Sequence, residues 1–142
     1  MDTQQVEVVG RSILEAALVT EGFEVARPSR DKHVDLLVYS TSTWQAAPIQ
    51  MKASSKSRFS LGSKYKGVRR LVFAYIWLDS QSVFLLDYGE AFAFLGSATK
   101  TKSWTEKGYY TLPHVSEERM RILKQFENRW QWLRGRLEYS RP

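Results

Sequence analysis

An aspartate and a Gln-x-Lys pair are the residues of this chain whose types and spacing could do chemistry. Asp35 lies in the apolar run Val34–Tyr39, and Gln50 and Lys52 lie in a second run that begins about fifteen residues later. In an antiparallel pair, the start of the first strand lies opposite the end of the second. Since positions i and i+2 share a face of a strand, Gln50 and Lys52 point the same way. The pattern predicts a metal site with a lysine beside it.

That combination suits phosphodiester hydrolysis, which needs an attacking water, charge neutralisation on the phosphate and help for the leaving oxygen. Mg²⁺ takes one or two carboxylates, so Asp35 with the amide oxygen of Gln50 is a sparse but workable ligand set. Burial and a neighbouring cation would lower the pKa of Lys52 and let it orient or deprotonate the water. Taken singly, Asp35 and Lys52 fit charged residues at solvated strand ends. Their order, strand context and shared facing together favour a site.

Similarity to a known family runs through three segments, Gly22–Pro28, His33–Val38 and Ile49–Ser54. These segments resemble the PD-(D/E)xK nuclease superfamily, and most closely the branch of Holliday-junction resolvases and an intron-encoded type of homing endonuclease, in which Gln can replace the acid before x-Lys. The resemblance implies a restriction-endonuclease-like α/β fold, with an α-β-β-β-(α)-β core in which helices flank a mixed sheet. It also implies an endonuclease that uses Mg²⁺ or Mn²⁺, with Asp35, Gln50 and Lys52 at the catalytic positions and the Met51 backbone carbonyl as a further metal ligand.

The elements that must position these residues begin with an amphipathic helix from Thr3 to Glu21, which ends at Gly22. A strand over Phe23–Pro28 follows and is about 20 Å long. A helix packed antiparallel to that strand reaches its far end about 13 residues before Gly22. The predicted apolar stripe of the helix comprises Val6, Val9, Ile13, Ala16, Ala17 and Thr20.

A helix acid completes the metal site in the family, about three turns before the glycine. Arg11 stands at that position here. Glu7 lies one turn earlier on the same face, so it is the predicted helix acid, and Glu15 is the reserve. The alternative for both is an ordinary solvated helix charge.

A segment rich in basic residues and free of acids follows Lys52. Its place after the site predicts contacts to a phosphate backbone, with Phe59 or Tyr65 stacking on a base or sugar, while a solvated loop is the alternative. A second basic stretch surrounds Trp104, which could equally be a packing residue. The predicted nucleic-acid-binding residues are Arg11, Lys56, Arg58, Lys64, Lys66, Arg69 and Arg70.

The remaining sequence predicts scaffold. Leu71–Leu78 and Val83–Asp87 form a hairpin of the sheet, and a short helix covers Tyr88–Gly96. Ser116 caps a long C-terminal helix of about 116–138. Its apolar stripe, which is either core or a dimer contact, comprises Leu123, Phe126, Trp130, Leu133 and Leu137.

Length and charge agree with a single nuclease-like domain over residues 1–142, with its core at about 5–88. The 21 basic residues exceed the 15 acidic ones, which gives a net charge of +6 and favours a polyanionic partner. The absence of cysteine excludes disulfides and thiolate metal sites. The beginning of the chain has no signal-peptide pattern and no stretch is long enough to span a membrane, so we expect a cytoplasmic protein without a membrane partner.

The sequence therefore predicts a metal-dependent endonuclease that acts on duplex or branched DNA. One alternative is a catalytically inactive protein of the same fold that serves as a DNA-binding or protein-interaction module, as Gln50 and Arg11 suggest. A second alternative is a nuclease that acts on RNA. If the C-terminal stripe is exposed, a homodimer could hold two active sites against two strands.

Overall fold

The computed structural model describes residues 1–138, and its elements follow the predicted mixed α/β order. The elements are α1 (Thr3–Thr20), β1 (Glu24–Ala26), β2 (Leu36–Tyr39), β3 (Ala46–Ser54), β4 (Phe59–Gly62), β5 (Val72–Trp77), β6 (Ser82–Asp87), α2 (Tyr88–Leu95), α3 (Lys102–Lys107), β7 (Tyr109–Leu112), α4 (Glu117–Leu123) and α5 (Trp130–Glu138). A five-stranded sheet has the order β1-β2-β3-β5-β6, with β3 and β5 parallel and the other neighbours antiparallel. Strands β4 and β7 form a separate antiparallel ribbon.

Helix α1 packs on one face of the sheet, and its position decides which of its side chains can reach the site. Asp2 and Gln5 form a capping box at its beginning, and Gly22 with φ +94° follows its end. The buried residues are Gly10, Leu14 and Leu18, at i, i+4 and i+8. The predicted stripe was therefore partly wrong, since Val9, Ala16 and Thr20 are exposed. The helix rolls toward Gly10 because only a residue without a side chain lets it approach β3 so closely.

We expect Gly10→Ala to destabilise the protein by about 1–3 kcal/mol, because a core contact would be overpacked. A Cβ at Gly10 would lie 2.5 Å from the Cβ of Ala53 on β3. Urea denaturation should show this loss, and Ala53→Gly in the same chain should recover most of it. Gly135→Ala is the matched control, since a Cβ there meets nothing within 4 Å. Equal stability of Gly10→Ala and wild type would contradict this seating of α1.

The predicted single C-terminal helix is interrupted, although a C-terminal helix is confirmed. Helix α4 ends at Leu123, Glu127 is extended, and Asn128 has φ +53°. The break docks on the edge strand β6, where Asn128 N–H donates to the Val83 carbonyl at 2.9 Å. The interruption carries the chain past β6 from one face of the sheet to the other.

The apolar stripe itself is core, divided between the two faces. Leu123 and Phe126 pack with Phe73 and the other aromatic residues of one face. Leu133 and Leu137 pack with α1 on the opposite face. A stripe used in this way is not available as a dimer contact.

The other scaffold predictions are confirmed, with one addition. The hairpin of β5 and β6 and the helix α2 lie where the sequence placed them, and Ser116 accepts a hydrogen bond from Arg119 N–H. The basic segment after β3 is not a simple loop, because it contains β4, which pairs with the distant β7. Within residues 1–138, no helix has the length and apolar character needed to cross a bilayer.

Candidate active site

A cleft opens in the sheet where β2 stops pairing with β3. The last pair of these strands is Leu36 with Ile49, whereas β3 continues to Ser54 with only β5 beside it. The open edge of β3, the start of α1, the loop before β2 and the β4–β7 ribbon enclose a volume of about 350 Å³. We call this space the site cleft. Its lining residues are Thr3, Glu7, Asp31, Asp35, Gln50, Met51, Lys52, Ala53, Ser54, Arg58, Ser60 and Tyr109.

Asp35 is held to β3 by its backbone and by its side chain. Its N–H donates to the Ile49 carbonyl, and its Oδ2 accepts from Met51 N–H, each at 2.8 Å. Partial burial raises the pKa of this carboxyl, and the bond from Met51 opposes that rise. Within residues 1–138, Oδ1 accepts no hydrogen bond from another side chain or backbone group. One carboxylate oxygen fixes the strands, and the other is available to a ligand.

Gln50 is the residue of the site cleft that most needs a partner. Its side chain is 8% exposed, and its Oε1 is buried without a hydrogen-bond donor among residues 1–138. An unsatisfied buried polar atom costs about 1–3 kcal/mol. An amide oxygen beside a carboxylate is a suitable ligand for a hard divalent cation, which would satisfy it.

Lys52 lies in the same cleft, held by a tyrosine that the sequence did not assign to it. Its Nζ donates to the Tyr65 hydroxyl at 3.3 Å and lies 5.1 Å from the centre of that ring. Burial is the main cause that lowers the pKa of Lys52. The ring of His33, in the loop before β2, packs edge-on against the ring of Tyr65, with ring centres 5.5 Å apart. His33 therefore helps to hold Tyr65 beside Lys52.

The buried ammonium predicts how stability depends on pH. Because the pKa of Lys52 in the folded protein is below its ordinary 10.5, the unfolded chain binds more protons between the two values. The burial penalty is complete below the folded-state pKa and is relieved as pH rises through it toward 10.5. As pH rises toward 10.5, wild type should therefore gain stability relative to Lys52→Met. Urea denaturation of both proteins measures this, and parallel pH profiles would contradict it.

The two candidate helix acids occupy different places. Glu7 lines the site cleft, is 54% exposed as a side chain, and pairs with Arg11 at 3.4 Å. Glu15 pairs with Arg27 at 3.1 Å and is not among the residues that line the cleft. The structure therefore brings Glu7 to the predicted triad and leaves the reserve acid elsewhere. Arg11 lies near enough for its charge to lower the pKa of Asp35.

The predicted stacking residues were wrong, because both are buried. Phe59 is fully buried and stacks on Tyr75 with ring centres 4.1 Å apart. Tyr65 is 3% exposed and is occupied by Lys52. Trp104 is a packing residue, as the alternative prediction held. It is half-buried, and its ring centre lies 5.7 Å from that of Phe92.

The predicted basic residues of the segment after Lys52 divide into those that face solvent and one that is used within the fold. Arg58 lines the site cleft, and a neighbouring pocket contains Lys56. Arg70 instead donates to the Arg136 carbonyl of α5 at 2.6 Å. The other exposed members of the predicted set are Lys64, Lys66 and Arg69.

Two titratable residues of the cleft, Asp31 and Tyr109, were not among the predicted site residues. Tyr109 arrives on β7, opposite Gly62 of β4. Burial tends to raise its pKa, but hydrogen bonds with Thr111 and Ser60 and the nearby cations outweigh burial and lower the pKa. No short-range pattern could have found Tyr109, because its strand pairs with one almost fifty residues earlier.

Comparison with known proteins places the fold. No protein-family model matches the sequence, and no curated protein matches it. Among solved structures, the chain is similar to the bacterial homing endonuclease I-Ssp6803I, with 10% sequence identity, a TM-score of 0.58, and coverage of 96% of this chain and 92% of that one. At this identity the likeness shows the fold alone, which this chain shares with that endonuclease.

Proposed function

We propose that this protein is a divalent-metal-dependent DNA endonuclease with a PD-(D/E)xK type of active site. The observation that carries the proposal is the buried Oε1 of Gln50, which lacks a donor among residues 1–138 and shares a cleft with Asp35 and Lys52. Three residue types that were predicted to act together on phosphodiesters thus meet at one open strand edge.

The oxygen atoms at that edge fit Mg²⁺ or Mn²⁺. Asp35 Oδ1 and Gln50 Oε1 would hold the cation, together with the Met51 carbonyl. The N–H and C=O of one strand residue point to the same edge, and Met51 N–H points to Asp35, so its carbonyl also points to the open edge. Within residues 1–138, no three side chains of His, Cys, Asp or Glu converge on one point. Weak binding until DNA adds a phosphate oxygen is therefore expected.

Lys52 is the proposed base or orienting group for the attacking water. A bound divalent cation would supply charge neutralisation and water activation. Lys52, with its lowered pKa, accepts or steers the proton of that water, and the Tyr65 hydroxyl holds its Nζ in place. Arg58, exposed at the cleft, is placed to contact the phosphate that is cut.

Duplex DNA is the proposed partner, and its phosphates give salt-dependent affinity. We expect Arg58→Gln to reduce the slope of log K against log salt by about 0.9, as for one lost phosphate contact. Arg70→Gln is the matched control and should keep the wild-type slope, because Arg70 is engaged with α5. Binding titrations at several salt concentrations measure both slopes. Equal losses in the two variants would indicate a general charge effect and contradict a role specific to Arg58.

A substrate panel tests the proposed function. Linear duplex, four-way branched DNA, single-stranded DNA and RNA are each incubated with wild type and Mg²⁺ or Mn²⁺, with chelator as the control. Metal-dependent cleavage of duplex or branched DNA supports the proposal. Preference for RNA would favour the RNA nuclease, and salt-sensitive binding without cleavage would favour the inactive binding module. The homodimer stays a prediction without the C-terminal stripe as its contact, because that stripe is core.

A further inference from the structure

We infer that Asp31, in the loop before β2, supplies the second carboxylate of the cation site in place of an acid on α1. The inference rests on the proposed function, because it concerns the same cation. It changes the ligand set from one carboxylate to two and moves the second acid from a helix to a loop.

Helix α1 does not present a free carboxylate to the site cleft. Glu7 lines the cleft, but Arg11 lies one turn later and pairs with it at 3.4 Å. Glu15 is paired with Arg27. Each acid of α1 in this region is thus neutralised by an arginine.

Asp31 lines the same cleft as Asp35 and Gln50 without such a partner. Among residues 1–138, no basic group lies within 4 Å of its carboxylate. Asp31 therefore offers the site cleft a carboxylate whose charge no ion pair within residues 1–138 neutralises, whereas Glu7 is paired with Arg11.

The independent indication of a ligand is the amide of Gln50. Its side chain is more than nine-tenths buried, lines the cleft, and has an Oε1 without a donor in the described chain. A cation that satisfied this oxygen would occupy the cleft that Asp35 and Asp31 also line. Two carboxylates, one amide oxygen and one backbone carbonyl form the all-oxygen set that Mg²⁺ and Mn²⁺ prefer.

A titration of Mn²⁺ binding in the absence of DNA tests the inference. The electron paramagnetic resonance signal of the free Mn²⁺ ion measures how much remains unbound. Asp31→Asn should weaken binding on the order of tenfold, because one ligand charge is lost. Glu7→Gln is the matched control and should stay within about twofold of wild type, since its charge is already paired with Arg11. Thermal unfolding of Asp31→Asn should match that of wild type, because Asp31 is exposed and makes no ion pair within residues 1–138.

Asp35→Asn separates the possible failures. Loss of Mn²⁺ binding in Asp35→Asn but wild-type binding in Asp31→Asn would overturn this inference and leave the proposed function standing. Loss in Glu7→Gln, with none in Asp31→Asn, would assign the second acid to α1. Equal binding by wild type and Asp35→Asn would overturn the cation site, and this inference with it.

Discussion

Replacing Lys52 by methionine should lower the rate of DNA cleavage by a factor of about 10²–10⁴, the usual contribution of a positioned acid or base. Methionine keeps an unbranched apolar stem but has no group that can accept a proton. Mn²⁺ affinity should be retained or increased, because a positive charge near Asp35 is removed. Single-turnover cleavage and Mn²⁺ titration together measure the two effects.

Lys64→Met is the matched control for this result. Lys64 Nζ lies 5.2 Å from the centre of the same Tyr65 ring, but Lys64 is exposed and does not line the site cleft. At saturating DNA, its loss should leave the single-turnover rate near that of wild type. If Lys52→Met and Lys64→Met lowered the rate equally, the proposed role of Lys52 would be wrong.

Replacing Asp35 by asparagine should reduce Mn²⁺ affinity by on the order of tenfold or more and bring cleavage to background, because ligand charge sets cation affinity. Asparagine preserves an acceptor for Met51 N–H, which Asp35 Oδ2 receives at 2.8 Å. Alanine would leave that backbone donor without its partner and cost about 1–3 kcal/mol, so a loss of function in Asp35→Ala could reflect unfolding. Calorimetry and thermal unfolding of Asp35→Asn separate binding from stability.

Two outcomes would contradict the role of Asp35. Wild-type Mn²⁺ binding by a folded Asp35→Asn would show that the cation, if bound, lies elsewhere. A large loss of stability in Asp35→Asn would show that the carboxylate serves the junction of β2 and β3 and that its charge is structural.

The meeting of Asp35 with Gln50 could be predicted because strand geometry is strict. Side chains alternate with a period of two, and an antiparallel register brings the start of β2 opposite the middle of β3. Asp35 N–H pairs with Ile49, one residue from Gln50, as this reasoning requires. The prediction needed only two neighbouring strands in the correct order.

The packing of α4 and α5 was harder to predict than the meeting of the two strands, because the period of an apolar stripe does not say which face of a sheet the stripe covers. Leu123 and Leu137 belong to the same helical repeat of apolar residues in the sequence, yet they pack on opposite faces of the sheet. The turn at Asn128 lets the chain pass β6, and its only local signal is the asparagine itself, which tolerates a positive φ.

The ribbon of β4 and β7 could not be predicted from the composition of its strands. In β4, Phe59 and Leu61 are buried and alternate with Ser60, but the strand is only four residues long and lies among lysines and arginines. Tyr65 follows β4 and is buried against Phe73 of β5, with ring centres 5.3 Å apart. Asp31 had no signal at all, because it lies outside every helix and strand.

Cleavage of supercoiled plasmid DNA is the measurement that tests the central claim most directly. Wild type, Asp35→Asn and Lys52→Met are compared in Mn²⁺, with a chelator control, after each variant is shown to be folded. We expect wild type to convert the supercoiled form to nicked or linear DNA only with the metal ion, and neither variant to do so at a comparable rate. Absence of cleavage by wild type, or cleavage that persists in Asp35→Asn, would contradict a metal-dependent nuclease centred on the site cleft.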